Sequence, residues 1–176
     1  MSAIIERLKE ANKRYAESGL YTADVSAVRR RTIAAGQTPY AVIVTCSDSR
    51  VIPEVLFSAG AGELFVVRTA GNVIGASELA SIEYALHHLH IQTVVVLGHT
   101  GCGAVSAALK GETEGQIGVI TQSIKRGIGN ETDPLRACGL NVQNGVEALK
   151  NAYKKENPTI VGAIYDLESG QTTFFD

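Results

Sequence analysis

The sequence has no tryptophan, one methionine, four prolines and only three cysteines among its 176 residues. An odd count of widely spaced cysteines (46, 102 and 138) does not fit the disulfide framework of a small secreted domain. In a reducing compartment such cysteines serve metals or catalysis, or are simply buried. Neither sign of charge is in excess: sixteen basic against eighteen acidic side chains leave a net −2. With the two signs mixed along the chain, that balance argues against a nucleic-acid groove or an anionic membrane as partner. The apolar runs are strand-sized, far short of a bilayer span. Met1-Ser2-Ala3-Ile4-Ile5-Glu6-Arg7 is an amphipathic start rather than the apolar core of a signal peptide. The expected location is cytoplasmic. Repeats, linkers and low-complexity tracts are missing too, so residues 1–176 read as a single domain, long enough to bury roughly 70% of its unfolded surface.

What is present is an alternation of helix and strand patterns. Ser2 caps a first helix with Ile4, Ile5, Leu8, Ala11 and Tyr15 at helical spacing, ended by Gly19. A second helix is expected from Asp24 to Ala35, stopped by Gly36 and Pro39. These form an N-terminal helical arm, residues 1–35, ahead of an α/β core, residues 36–176. The core opens with Tyr40 to Thr45, a continuous apolar run rich in β-branched residues that suits a strand covered on both faces. Further strands are expected at Leu64 to Arg68, Thr93 to Leu97 and Thr159 to Leu167. Helices are expected at Glu78 to Leu89, from about Val105, and from Val142 to Lys155. Between Gly111 and Gly129 lies a glycine-punctuated stretch. Ser169-Gly170 turns the chain into Gln171 to Phe175, an antiparallel edge strand. The fold class is α/β, with a mainly parallel central sheet flanked by helices and an antiparallel C-terminal edge strand. In such sheets ligands collect beyond the carboxyl ends of the strands.

Two loops at that end hold the chemistry. Cys46-Ser47-Asp48-Ser49-Arg50 follows the first core strand, and Gly98-His99-Thr100-Gly101-Cys102-Gly103-Ala104 follows the third. The spacing of His99 and Cys102 lets a tight turn aim both at one ion, and Cys46 would join from a neighbouring strand end. Two thiolates and one imidazole suit Zn²⁺ and leave a fourth tetrahedral position open, as a catalytic site requires. Asp48 is the one nearby candidate to fill it. Simpler readings exist for each part. Cys46 alone is a small buried hydrophobe, the glycine-rich loop alone an anion cradle, and His99 alone a core histidine. A thiol nucleophile with Arg50 as anion clamp, in the manner of phosphatases, has the wrong spacing, with three intervening residues where that pattern has five. Each of these accounts for one residue; a metal accounts for three.

Cys-Ser-Asp-Ser-Arg-Val at 46–51 together with Gly-His-Thr-Gly-Cys-Gly at 98–103 resembles the β-class carbonic anhydrases. The resemblance is strong from about residue 36 to 110 and looser to the C-terminus, where Tyr165-Asp166 and Gly170 fit; Gly71-Asn72 also fits. It implies one Zn²⁺ per chain on Cys46, His99 and Cys102, with Asp48 as a further, exchangeable ligand. The implied activity is reversible hydration of carbon dioxide to bicarbonate and a proton, by attack of zinc-bound hydroxide. Asp48 would accept a hydrogen bond from the nucleophile, and Arg50 would hold Asp48 off the metal. Gln37, nine positions before Cys46, would donate its amide to the developing carboxylate. Phe65, Tyr84 and Gly103 would line the substrate pocket, which in the family lies at a dimer interface; a homodimer or dimer-based oligomer is therefore implied. With two thiolates neutralising the ion, an alkaline-leaning activity profile is expected. Members switched off by bicarbonate carry Trp three residues before the first zinc cysteine. Ile43 stands there in this chain, so that regulation is not expected, although Arg68 of the associated site is retained. Without that role Arg68 would pair with Glu63 or Glu54. His87, His88 and His90 offer a proton shuttle or are placed by the dipole at a helix end, and Cys138 is a free thiol. Two other functions share these residues: hydrolysis of carbonyl sulfide or carbon disulfide, and a non-catalytic zinc-binding module.

Overall fold

In the computed structural model, which describes residues 2–176, five strands form one sheet. They are β1 (Ala41–Cys46), β2 (Leu64–Thr69), β3 (Thr93–His99), β4 (Thr159–Tyr165) and β5 (Thr172–Phe175). The spatial order is β2-β1-β3-β4-β5, with the first four parallel and β5 antiparallel to β4. Seven helices surround the sheet: α1 (Ala3–Ser18), α2 (Ala27–Ile33), α3 (Pro53–Leu56), α4 (Ala76–His87), α5 (Gly103–Leu109), α6 (Ile117–Ile128) and α7 (Pro134–Ala152). Among the described residues no helix is long and apolar enough to cross a membrane.

Alternation along the two central strands builds a core on each face of the sheet. Val42, Val44, Val94 and Val96 pack with Ile82 and Leu86 of α4 and Val142, Val146 and Leu149 of α7. Ile43, Val95 and Leu97 pack on the other side with Ile5 and Leu8 of α1 and with Leu56 and Phe57 at the end of α3. Ile5 and Leu8 are essentially fully buried. At about 1.5–3 kcal/mol for each such side chain, α1 is a cover of the sheet. Helix α2 buries no residue.

Helix extents differ from the sequence expectation where capping and glycine were misread. Helix α2 starts at Ala27 because Asp24 accepts the Ser26 N–H and Ser26 caps Arg29. The stretch between Gly111 and Gly129 contains α6, whose glycines mark close approach rather than breaks. A Cβ at Gly118 would overlap the Thr113 carbonyl, and one at Gly127 would lie 2.8 Å from the Asn144 side chain. Helix α7 begins eight residues before Val142, with Asp133 capping Arg136 and Pro134 in the first turn. Its Gly145 sits against β3, where a Cβ would lie 3.2 Å from Val96. Strands β1 and β3 run on to Cys46 and His99, so both residues end strands rather than open loops.

From β1 the chain crosses to β2 on one side, then returns to β3 on the other. The carboxyl ends of β1 and β3 therefore flank the point where the winding reverses, the usual crevice of an open α/β sheet.

Candidate metal centre

Cys46 and His99 finish β1 and β3 at that crevice, and Cys102 sits just beyond as the N-cap of α5. Ligand atoms of all three lie within 4.8 Å of one another, and the two sulfurs are 4.0 Å apart. The residues are 5%, 1% and 3% exposed, so water does not satisfy them. His99 Nδ1 lies 2.9 Å from the Thr100 carbonyl oxygen. A carbonyl only accepts, so Nδ1 carries the proton and Nε2 presents its lone pair. Nε2 is buried with no hydrogen-bond partner among the described residues. Leaving a buried polar atom unpaired costs about 1–3 kcal/mol, a cost that a metal ion at this atom would remove. With metal–sulfur bonds of about 2.3 Å, a tetrahedral site has a sulfur–sulfur edge of roughly 3.8 Å, close to the distance present. The three residues form a possible metal site with donors suited to a borderline-soft tetrahedral ion.

The surrounding groups prepare anionic sulfur. The Cys46 thiol is pushed down to about 4, first by its hydrogen bond from Cys102, then by His99 and the N–H groups of Asp48 and Gly71, against opposing burial. Those two N–H groups lie 3.4 and 3.2 Å from its Sγ. Cys102 moves the other way: losing its proton would break the bond to Cys46 and bury a second anion, although the Ala104 and Val105 N–H groups at the start of α5 act in its favour. The pair thus holds one proton between two sulfurs. A divalent cation resolves the conflict, because it stabilises both thiolates. Burial opposes protonation of His99, but the Cys46 thiolate, the Thr100 carbonyl and Asp48 outweigh it and raise its pKa.

Beside the cluster, Asp48 is held by Arg50. Arg50 Nε donates to Oδ1 at 2.9 Å, Nη2 to Oδ2 at 2.7 Å, and the Arg50 backbone N–H to Oδ1 at 3.0 Å. This fork keeps the Asp48 carboxyl well below the usual carboxylate range. Asp48 Oδ2 is 3.9 Å from His99 Nε2, so the carboxylate faces the cluster while staying outside the ligand triad. Arg68 pairs with neither Glu63 nor Glu54. Its Nη2 donates to the Asp48 carbonyl at 2.7 Å and its Nε to the Cys46 carbonyl at 3.2 Å, clamping the turn that carries both residues. Neither this clamp nor the Gly71 N–H was visible in the sequence, since both are contacts between residues twenty or more positions apart.

The remaining candidates divide. Gly103 adjoins Cys102, and a Cβ there would meet nothing within 4 Å, so the approach on that side is open. Phe65 and Tyr84 lie near each other, ring centroids 6.3 Å apart, but Phe65 pairs in register with Val42. Val42 lies four positions before Cys46, about 13 Å along the strand, so this aromatic pair is not beside its own chain's cluster. Tyr84 is 46% exposed and stacks on His88. Gln37 is exposed, and its side chain makes no hydrogen bond among the described residues. His87, His88 and His90 precede β3, whose seven residues set them roughly 20 Å from the end that carries His99. All three cysteines are free and buried.

A family model described as carbonic anhydrase matches residues 41–172. Carbonic anhydrase 2 of Mycobacterium tuberculosis is 48% identical over 110 residues, covering 62% of this chain and 53% of that protein. The chain spans about half the length of these mycobacterial relatives. The carbonic anhydrase of Pseudomonas aeruginosa is 30% identical over 172 residues, covering 83% of this chain and 77% of that one. Among solved structures, the β-carbonic anhydrase CafA of Aspergillus fumigatus superimposes with a TM-score of 0.76 at 28% identity, covering 99% of this chain and 89% of that chain. The Coccomyxa β-carbonic anhydrase in complex with acetazolamide gives 0.72 at 25% identity, covering 97% and 83%.

Proposed function

The chain belongs to the β-class carbonic anhydrase family, and from that premise we propose that it catalyses the reversible hydration of carbon dioxide with one Zn²⁺ on Cys46, His99 and Cys102. The observation that carries the reading is the buried, unpartnered Nε2 of His99 facing two sulfurs, with the Asp48–Arg50 fork beside it. A purely structural zinc site needs no such fork. Zinc would supply Lewis acidity that makes water nucleophilic near neutral pH; the reference case for that effect is itself a carbonic anhydrase, one with three imidazole ligands.

The chain's own residues would do the rest. Asp48, ionised and fixed by Arg50, accepts the proton of the attacking water as a hydrogen bond and so sets which lone pair faces the substrate carbon. Gln37 donates its amide N–H to the oxygen that gains charge as carbon dioxide bends. Phe65 and Tyr84 form an apolar wall for a substrate without a dipole, while Gly103 leaves the approach open. Because the aromatic pair lies about 13 Å along the sheet from its own cluster, the pocket is completed by a second copy of the chain, in a homodimer or an assembly of dimers.

Stopped-flow proton release with carbon dioxide, run beside carbonyl sulfide and combined with elemental analysis, tests the proposal. The expected result is about one zinc per chain, fast hydration of carbon dioxide, an alkaline-leaning profile and inhibition by acetazolamide. Zinc without turnover of either substrate would leave only a binding module. Turnover of carbonyl sulfide alone would move the activity to hydrolysis.

A further inference from the structure

Helix α7 braces one metal-facing sulfur from behind. Cys46 Sγ accepts the Gly71 N–H at 3.2 Å, and the Gly71 carbonyl accepts from Asn141 Nδ2 at 2.8 Å. Gly71 has nowhere else to go: its φ is +66°, and a Cβ would lie 2.8 Å from Ile124 Cδ1 and 3.0 Å from Ala104 Cβ. One turn earlier on the same helix, Cys138 is buried in the cluster that includes Cys46 and Cys102.

Asn141 is an odd choice for packing alone. It sits on the buried face of α7, 5% exposed. There a leucine would propagate the helix better and desolvate no amide. Its amide is accounted for by the Gly71 carbonyl, at a turn where two successive residues, Gly71 and Asn72, hold positive φ. Freed from Asn141, the Gly71–Asn72 peptide could rotate and carry the Gly71 Cα with it, which would lengthen the contact of the Gly71 N–H, on the preceding peptide, to the Cys46 sulfur. We propose that Asn141 is a positioning residue for a metal thiolate: it fixes Cys46 through the Gly71 turn. This rests on the metal reading of Cys46, His99 and Cys102.

The test uses the full chain loaded with cobalt(II), whose thiolate charge-transfer absorption reports on the metal–sulfur bonds, together with affinity from chelator competition. Asn141→Leu keeps the branched shape and removes the donor. Leu149→Ala, two turns further along α7 in the sheet-facing core, controls for lost stability. Asn141→Leu should weaken metal binding by about tenfold to a hundredfold and shift the charge-transfer band. Leu149→Ala should lower Tm and leave both readouts unchanged. Wild-type affinity and spectrum in Asn141→Leu would overturn the proposal, as would equal changes in Leu149→Ala. Should Asn141→Leu not fold, Asn141→Ser carries the same comparison. Failure of the wild type to bind cobalt would overturn the metal reading itself, and is seen before any variant is made.

Discussion

Arg50 grips both oxygens of Asp48, at 2.9 and 2.7 Å, and keeps that carboxylate beside the Cys46–His99–Cys102 cluster without joining it. The Arg50 side chain is 57% exposed, so solvent screens the pair and it adds little to stability. Its consequence lies in where Asp48 points. Arg50→Ala should free the carboxylate to move toward the metal position and block it. Activity is expected to fall at least tenfold to a hundredfold, with metal content and Tm near wild type. Full activity in this variant would show that the fork is ornamental.

The same fork fixes a pH dependence of stability. Arg50 holds the folded-state pKa of Asp48 below its unfolded value of about 3.9. The unfolded chain therefore takes up this proton first as pH falls. The contribution of Asp48 is present above the unfolded value and disappears as pH drops through the folded one. In urea denaturation of chelator-treated protein, wild type should exceed Asp48→Asn in stability at pH 7. That margin should shrink below about pH 4. A margin that widens on acidification would reverse the assignment.

Gln37 is exposed and makes no side-chain hydrogen bond among the described residues, so Gln37→Ala should change stability by no more than about 0.5 kcal/mol. If its amide meets the developing charge, kcat/KM should fall by about ten- to a hundredfold with zinc retained. Unchanged kinetics would return Gln37 to the surface.

A pocket shared between two chains predicts complementation. Tyr84→Ala keeps the metal ligands and Cys102→Ala keeps the aromatic wall, so each alone should be impaired. Refolded together at equal amounts, half of the dimers are hybrids with one intact site of two, giving about a quarter of wild-type activity. Mixing without any rescue would place Tyr84 in the pocket of its own chain, or in none.

Gly71→Ala asks an L residue to hold φ +66° with its Cβ 2.8 Å from Ile124. Left-handed strain of about 1–3 kcal/mol, added to the overlap, should lower Tm and weaken metal binding together, because the same turn presents an N–H to Cys46. Thermal melts with and without added zinc would measure both effects. A variant as stable and as tightly zinc-bound as wild type would mean the turn relaxes freely.

The sequence by itself determined what depends on neighbours along the chain. The β-branched run ending at Cys46 dictates a doubly covered strand, and the His99–Cys102 spacing puts an imidazole and a thiol on one turn. A single residue, Ser49, separates Asp48 from Arg50, close enough for a fork. What only the tertiary structure decided depends on contacts between distant segments. That β1 lies beside β3, joining Cys46 to ligands more than fifty residues away, is a matter of strand order, which no local period encodes. The tautomer of His99 depends on where the Thr100 carbonyl points once β3 is paired with β4, and Arg68 found backbone carbonyls instead of a glutamate because β2 ends against the 46–48 turn. The glycines of α6 looked like breaks because their reason, close contact of Gly118 with Thr113 and of Gly127 with Asn144, lies outside their own helix. Phe65 and Tyr84 were legible as a pair, but their distance from the cluster follows from the register of β2 on β1. Short-range patterns set the elements; long-range pairing set which of them meet.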